Sequence, residues 1–358
     1  MNETRITGVR PGEAGRFVRD RDGDIDIDPL PYRGPLFIVG MPRSGTKLLR
    51  ELLGNHARIR IPRVETEFVP EMVRYVARRG GRLDDERAFR EFYEWIRRFP
   101  YFWYTERQGR VLSAEEWFKS ANDRTAAGLF EALVRHDAGA GWDTDLIWGD
   151  KSPSYVTKLE VISAHFQRAR FIHIVRDARD QALSARRAWG KDVLRAAQRW
   201  NDDVREGLRQ GRALGSRFRM IRYEDLTADP ARILTGLCQF LDVPFDVRML
   251  ELQHAPENLG TTKGVHAIVA GNSGQFRVGL AAAEVASIEG IAGSMLGELG
   301  YEVPGDLRPR RLSRTSMRLR QAKDYLALVR QRAATEGLLG SVGFHFRYWQ
   351  ATSNHRRR

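Results

Sequence analysis

The sequence predicts an α/β fold with a central, mainly parallel sheet and helices on both faces. Three stretches predict it, each an apolar run followed by a turn and a helical or polar segment. The first is Leu36-Phe-Ile-Val39, then Gly40, Pro42 and Gly45, then residues 46–53 with leucines at 48, 49, 52 and 53. The second is Phe171-Ile-His-Ile-Val175, then Arg176-Asp-Ala-Arg-Asp180, then a helical pattern through Ser184. The third is residues 218–222 with Tyr223-Glu224-Asp225-Leu226 as a turn behind them. Strand, turn and helix in repeated order is the unit from which parallel sheets are built.

The turn after Val39 has the anatomy of a phosphate cradle. Backbone N–H groups of a Gly-rich turn and the positive end of the next helix converge on an anion. The Walker A loop, G-x-x-x-x-G-K-[ST], is the comparison that decides its type. Gly40 and Gly45 have that spacing, but Thr46 stands where the Lys belongs and Lys47 where the hydroxyl belongs. In an NTPase that order puts the Lys on the β- and γ-phosphates and the hydroxyl on Mg²⁺. The exchange disturbs both roles, and Arg43 adds a cation inside the loop. The pattern suits an anion held by fixed cations and no bound metal.

Pro42-Arg43-Ser44-Gly45-Thr46 resembles the 5′-phosphosulfate loop of sulfotransferases that use 3′-phosphoadenosine 5′-phosphosulfate (PAPS). The Arg, in place of a Lys, is closer to the tyrosylprotein and bacterial branches. The resemblance implies a P-loop-like three-layer α/β/α fold, PAPS as co-substrate, 3′,5′-ADP as product and no metal. It assigns Arg43, Ser44, Gly45, Thr46 and Lys47 to the phosphosulfate.

The remaining segments follow in order. In His56-Ala-Arg-Ile-Arg-Ile61 the isoleucines alternate with arginines, which reads as a short strand. Glu65-Thr66 behind it matches the family's catalytic base and the Thr after it. Glu67 competes for that role, and both glutamates also suit a helix start, where they favour the dipole. Residues 68–140 read as a mostly helical insertion, with Ser113-Ala-Glu-Glu116 as a capping box. Its many aromatic residues form a core, or residues 101–104 line an acceptor pocket. Residues 145–153 are a short apolar run ending in Asp150-Lys151-Ser152-Pro153. Lys151 then lies at the carboxyl edge of the sheet, where α/β folds bind ligands, and the family's Lys-x-Pro supplies a cation to the transferring group.

Arg176 and Ser184 are eight positions apart, the spacing of the family's 3′-phosphate pair. An Arg recognises phosphate through two parallel bonds, and a hydroxyl near a helix start adds a neutral donor. Tyr223 in Tyr-Glu-Asp-Leu reaches the nucleotide by the same resemblance. Residues 260–280 are Gly-rich and polar and read as a mobile loop. Ser273 and Arg277, beside Phe276, are its candidate cofactor contacts. A helix is expected over 282–299. The family-like region runs from 35 to 302, preceded by a polar segment, 1–34, and followed by a basic, helical tail, 303–358.

Composition narrows the function classes. The single cysteine, Cys238, excludes a disulfide framework within the chain and a cysteine-based metal site. Asp20 to Asp28 alternates acids as a calcium loop does. Ile25 and Pro31 stand where such a loop needs Gly and Glu, so a metal is not expected there. Net charge is +13, but residues 305–358 hold 13 Lys/Arg against 3 Asp/Glu, so a +10 tail carries most of it. That tail is a solvated helix over 316–334, or it contacts an anionic lipid surface, nucleic acid or polyanionic acceptor. No signal peptide is legible and apolar runs fall short of a membrane span, so a cytoplasmic protein is expected.

The expected reaction is sulfuryl transfer from PAPS to a hydroxyl, less readily an amine. Arg43, Lys47 and the loop N–H groups stabilise the leaving phosphate, Lys151 holds the transferring group, and Glu65 takes the acceptor's proton. The acceptor stays open among small molecules, glycans, lipids and peptides. A P-loop kinase or NTPase using ATP and Mg²⁺ is the alternative.

Overall fold

In the computed structural model, which describes residues 17–19, 25–27, 31–142, 145–256, 263–305 and 308–336, five parallel strands form the centre. Most of the acidic 20–28 stretch and the tail beyond 336 lie outside the described residues. β1 (Phe17–Arg19) and β2 (Ile25–Ile27) make a separate antiparallel pair. β3 (Leu36–Val39) leads into α1 (Thr46–Gly54) and β4 (Ile59–Arg60). The expected insertion consists of α2 (Val69–Ala77), α3 (Glu86–Ile96), α4 (Pro100–Arg107), α5 (Ala114–Ser120) and α6 (Ala126–Ala138). Next come β5 (Ile147–Lys151), α7 (Leu159–His165), β6 (Arg170–Val175), α8 (Ala178–Trp189) and α9 (Val193–Ala213). β7 (Phe218–Arg222), α10 (Tyr223–Ala228), α11 (Pro230–Phe240), α12 (Phe276–Gly279), α13 (Ala282–Glu298) and α14 (Arg314–Glu336) complete the chain.

The sheet order is β4-β5-β3-β6-β7. β3 is central and fully buried, which is why its sequence is an unbroken apolar run instead of an alternating one. Its side chains divide between the faces. Phe37 and Val39 join the insertion's core, while Leu36 and Ile38 pack with the α1 leucines and α11. Phe37 stacks on Phe171 at 5.4 Å and Phe130 at 6.2 Å between ring centroids. Burying such a ring stabilises the fold by about 1.5–3 kcal/mol.

Tyr101 and Phe102 pack on Phe68 inside this core, so for them the core reading holds over the pocket reading. The expected capping box of Ser113 and Glu116 is formed. One local expectation is corrected: Tyr223 to Leu226 is not a turn but the first part of α10. Extended Arg222 caps that helix, and Glu224 and Asp225 in its first turn favour the helix dipole. Cys238 is buried beside Met249. No described helix is long and apolar enough to cross a membrane.

Candidate active site

Because the five strands are parallel, their carboxyl ends share one edge, and the central ones deliver Gly40, Lys151 and Arg176 to it. The loop from 40 to 45 is bent by left-handed residues. Gly45 has φ +93° and caps α1 with no side-chain bond and no acid in the first turn. The first N–H groups of α1 therefore face an anion site. A Cβ on residue 45 would lie 2.4 Å from the Tyr223 ring, so that ring closes over the loop only because residue 45 is Gly. Arg43 also has a positive φ, 75°, a conformation that non-glycine residues keep where a site over-determines it. Gln181 donates to the Pro42 carbonyl at 2.8 Å and ties the loop to α8.

Arg176 follows β6 and is buried. Its Nη1 donates to the Arg43 carbonyl at 3.3 Å and its Nη2 to the Asn272 carbonyl at 2.6 Å. Its guanidinium lies 4.5 Å from the Tyr223 ring centroid, and its Nε is buried without a partner. Arg43 Nε donates to Ser184 Oγ at 3.2 Å, and the Arg43 guanidinium lies 5.7 Å from the Trp189 ring. A cleft is lined by Arg43, Gly45, Leu48, Arg176, Ser184 and Tyr223, together with Asn272. The sequence assigns Arg43, Gly45, Arg176, Ser184 and Tyr223 to the nucleotide, and the structure brings all five to this cleft.

Lys151 and Glu65, also predicted for the site, do not line that cleft but meet each other at the end of β5. Lys151 is fully buried and its ammonium pairs with the Glu65 carboxylate, which is partly open to solvent. Burial holds the Lys151 pKa below the usual lysine range, Glu65 opposes that shift, and Arg50 and Lys47 add to it. Lys47, in the first turn of α1, thus joins the loop to Lys151 electrostatically. Thr66 Oγ1 lies 2.9 Å from the Tyr155 hydroxyl, which accepts from Val69 N–H at 3.0 Å. These bonds fasten the segment carrying Glu65 to the exit of β5. Glu67 turns away with φ 53°, its N–H donating to Ser152 Oγ at 3.2 Å. Crowding by protein pushes the Glu67 carboxyl above the usual range, and the charge of Glu65 adds to that. Only Glu65 of the two holds Lys151.

Thr46 is buried, and so is Ser44, whose Oγ has no partner. Ser273 and Arg277 are not among the cleft's lining residues. Ser273 Oγ is buried without a partner, while Arg277 is exposed and 3.8 Å from Glu302. Asn272 is the residue that sequence reasoning missed. Its carbonyl accepts from Arg176, and its Nδ2 donates to the Tyr223 hydroxyl at 2.9 Å. Asp180 holds the same loop by accepting from Gly274 N–H at 2.6 Å and Phe276 N–H at 2.8 Å. A further missed group is Asp150, fully buried beside the Ser152 and Thr66 hydroxyls. Burial raises its pKa to about 7, which the hydroxyls of Ser152 and Thr66 offset only in part.

Lys47 does not line this cleft but a neighbouring one, with Arg50, Glu51, Arg63 and His254. Among the described residues no cluster of three or more His, Cys, Asp or Glu could hold a metal.

The chain is 25% identical over 239 residues to protein-tyrosine sulfotransferase 1 of Danio rerio, covering 64% of this chain and 58% of that protein. It is 26% identical over 243 residues to the protein-tyrosine sulfotransferase of Drosophila melanogaster, covering 64% of this chain and 42% of that protein. The chain thus spans about half the length of these relatives. The sulfotransferase domain from the curacin biosynthetic pathway superposes with a TM-score of 0.50 at 20% identity, over 76% of this chain and all of that domain, which speaks to the fold alone. A family profile described as "Sulfotransferase family" matches residues 35–247. That match takes in more than half of the chain, with the loop, Glu65, Lys151, Arg176, Ser184 and Tyr223 inside it, and the chain belongs to the sulfotransferase family.

Proposed function

We propose that this chain transfers the sulfuryl group of PAPS to an acceptor hydroxyl without a metal, with Glu65 as general base. The cleft carries the reading: Arg176, Arg43 and Ser184 meet at one end of a pocket that also contains the α1 loop. A ligand with a phosphate at each end fits that spacing of cations and N–H groups. Tyr223 and Leu48 line the same cleft.

In the proposed transfer, the acceptor oxygen forms a bond to sulfur as the bond from sulfur to the 5′-phosphate oxygen breaks. The acceptor's proton passes to Glu65, and the electron pair of the broken bond stays on the departing phosphate. The α1 N–H groups and Lys47 stabilise that growing charge in a site with little water. Lys151, buried and desolvated, holds the transferring group, and its pairing with Glu65 aims the carboxylate at the same point. Arg43 spans the loop and Ser184 and so ties the two ends of the donor together.

A small molecule, a glycan, a lipid and a peptide all present such a hydroxyl, and the protein-tyrosine relatives support a peptide tyrosine as one of them. The kinase reading is weaker. Its metal-binding acid would have to be Asp150, yet Asp150 is fully buried opposite Phe37 in register, below the edge that Lys151 reaches.

The test is a thermal-shift comparison of 3′,5′-ADP with 5′-ADP, each with and without Mg²⁺. A ligand at 100 times its Kd stabilises by about 2.7 kcal/mol, or on the order of 5 °C for a chain of this size. The expected result is a metal-independent shift with 3′,5′-ADP alone. A shift confined to 5′-ADP with Mg²⁺ would overturn the reading.

A further inference from the structure

The side chains of α14 divide sharply by face. On one face Asp324 is buried, accepts from Asp192 N–H at 2.8 Å and pairs with Arg195 at 2.6 Å. Arg320 pairs with Asp192, and Ala327 sits against Gly190. These contacts fix the helix on the junction of α8 and α9. The opposite face carries Leu319 and Leu326, seven residues and two turns apart, 63% and 53% exposed. Exposed Ala322 lies between them along the stripe and exposed Thr315 one turn before Leu319, and Arg318, Lys323 and Arg330 are exposed on its flanks. Five large hydrophobic residues are more than half exposed among the described residues, and α14 holds three of them, Tyr325 being the third.

Charge says what such a face suits. Among the described side chains of α14 the single acid is Asp324, already used by Arg195, while Arg314, Arg318, Lys323 and Arg330 point to solvent. Nucleic acid would satisfy the cations and leave the leucines in water. A second α14 would satisfy the leucines and set like charges against each other. An anionic bilayer satisfies both: leucines enter at the headgroup level, and long Lys and Arg side chains reach the lipid charges around them. We propose that α14 docks this chain on an anionic lipid surface through Leu319, Leu326 and the cations beside them. The proposal is independent of the donor and the base assigned above.

The experiment is co-sedimentation of the full chain with phosphatidylcholine vesicles, with and without about a third phosphatidylserine. Binding to the anionic vesicles only is expected. Each cation near the surface contributes roughly fivefold to the binding constant. Raising salt from about 0.05 to about 0.5 M should therefore lower binding at least tenfold, as screening shortens the reach of charge. The double variant L319E/L326E should lose at least tenfold while keeping the parent's unfolding temperature, which reports that it is folded. Equal binding to neutral vesicles, no binding at low salt, or undiminished binding by L319E/L326E would each overturn the proposal. So would retention on a polyanion column with no vesicle binding. Self-association abolished by L319E/L326E, again with no vesicle binding, would mean that a second copy covers this face.

Discussion

Glu65 and Glu67 are two positions apart and differ in what surrounds them. Glu65 reaches Lys151, whereas Glu67 occupies a left-handed backbone position beside Ser152 and Ser154. A base must sit where the acceptor's proton is, so Glu65→Gln should lower turnover by about 10²–10⁴-fold with 3′,5′-ADP affinity nearly unchanged. Glu67→Gln should keep turnover within a few fold. Single-turnover transfer from labelled PAPS to a panel of phenol, sugar, lipid and tyrosine-peptide acceptors checks both. Equal losses in the two variants would remove Glu65 from its role. At the opposite end of the donor, Arg176 has a buried Nε with no partner, and charge-assisted bonds are the strong ones. Arg176→Ala should weaken 3′,5′-ADP by about 10–100-fold, the range for a lost bond to a charged group. Affinity for 5′-AMP, which lacks the 3′-phosphate, should hardly change in calorimetric titration. A matching loss for 5′-AMP would mean that Arg176 does not read that phosphate.

Elements matter here through their ends, and one end is held by a side chain from a different helix. Asp180, in the first turn of α8, accepts from two N–H groups of the 274–276 turn and so keeps Asn272 against Arg176 and Tyr223. Asp180→Ala leaves those N–H groups without a protein partner and frees the loop that borders the cleft. The expected result is a KM for PAPS raised about tenfold, on the scale of one to two lost hydrogen bonds, with kcat changed far less. A fall in kcat at constant KM would argue that Asp180 acts on the chemistry instead. The same elements show what was legible in the sequence. The 35–53 and 170–184 stretches were readable because an apolar strand, a turn of Gly or cations and a helix are all local patterns. Asn272, the residue before Ser273, was not legible, because a Gly-rich loop has no periodicity to set its register. Asp180 looked like an ordinary acid at a helix start, since its partners lie 94 and 96 positions away. Asp150 was invisible as a buried carboxyl, because its burial comes from the insertion packing on β5 and not from its neighbours in sequence.

Among the described residues, His173 and Asp150 are fully buried titratable groups whose shifts act on stability in opposite directions. His173 on β6 is fully buried with neither ring nitrogen partnered, and burial lowers its pKa from 6.5 to about 3. α9 packs on it closely enough that a Cβ on Gly207 would come within 3.2 Å of the ring. The folded state therefore binds that proton less well than the unfolded chain. Its contribution is fully present above the unfolded value and is lost as pH falls below about 6.5, by about 2 kcal/mol between pH 7 and 5. Asp150 runs the other way. Its folded pKa, about 7, lies above the unfolded value of 3.8. The stabilisation from its protonated form is present at low pH and lost as pH rises through 7, about 2 kcal/mol over the same interval. The two slopes nearly cancel, so the parent chain hides both and variants should expose them. In urea unfolding, His173→Leu should gain about 2 kcal/mol on the parent as pH is lowered from 7 to 5. Asp150→Asn should lose about the same amount relative to the parent over that range. Gaps that do not change with pH would mean that these groups keep their ordinary pKa values, with water reaching them inside the fold. Opposite slopes would establish that the sheet beside the active site is dry enough to hold a carboxyl neutral, the same low-dielectric setting on which the electrostatics of Lys151 and Glu65 depend.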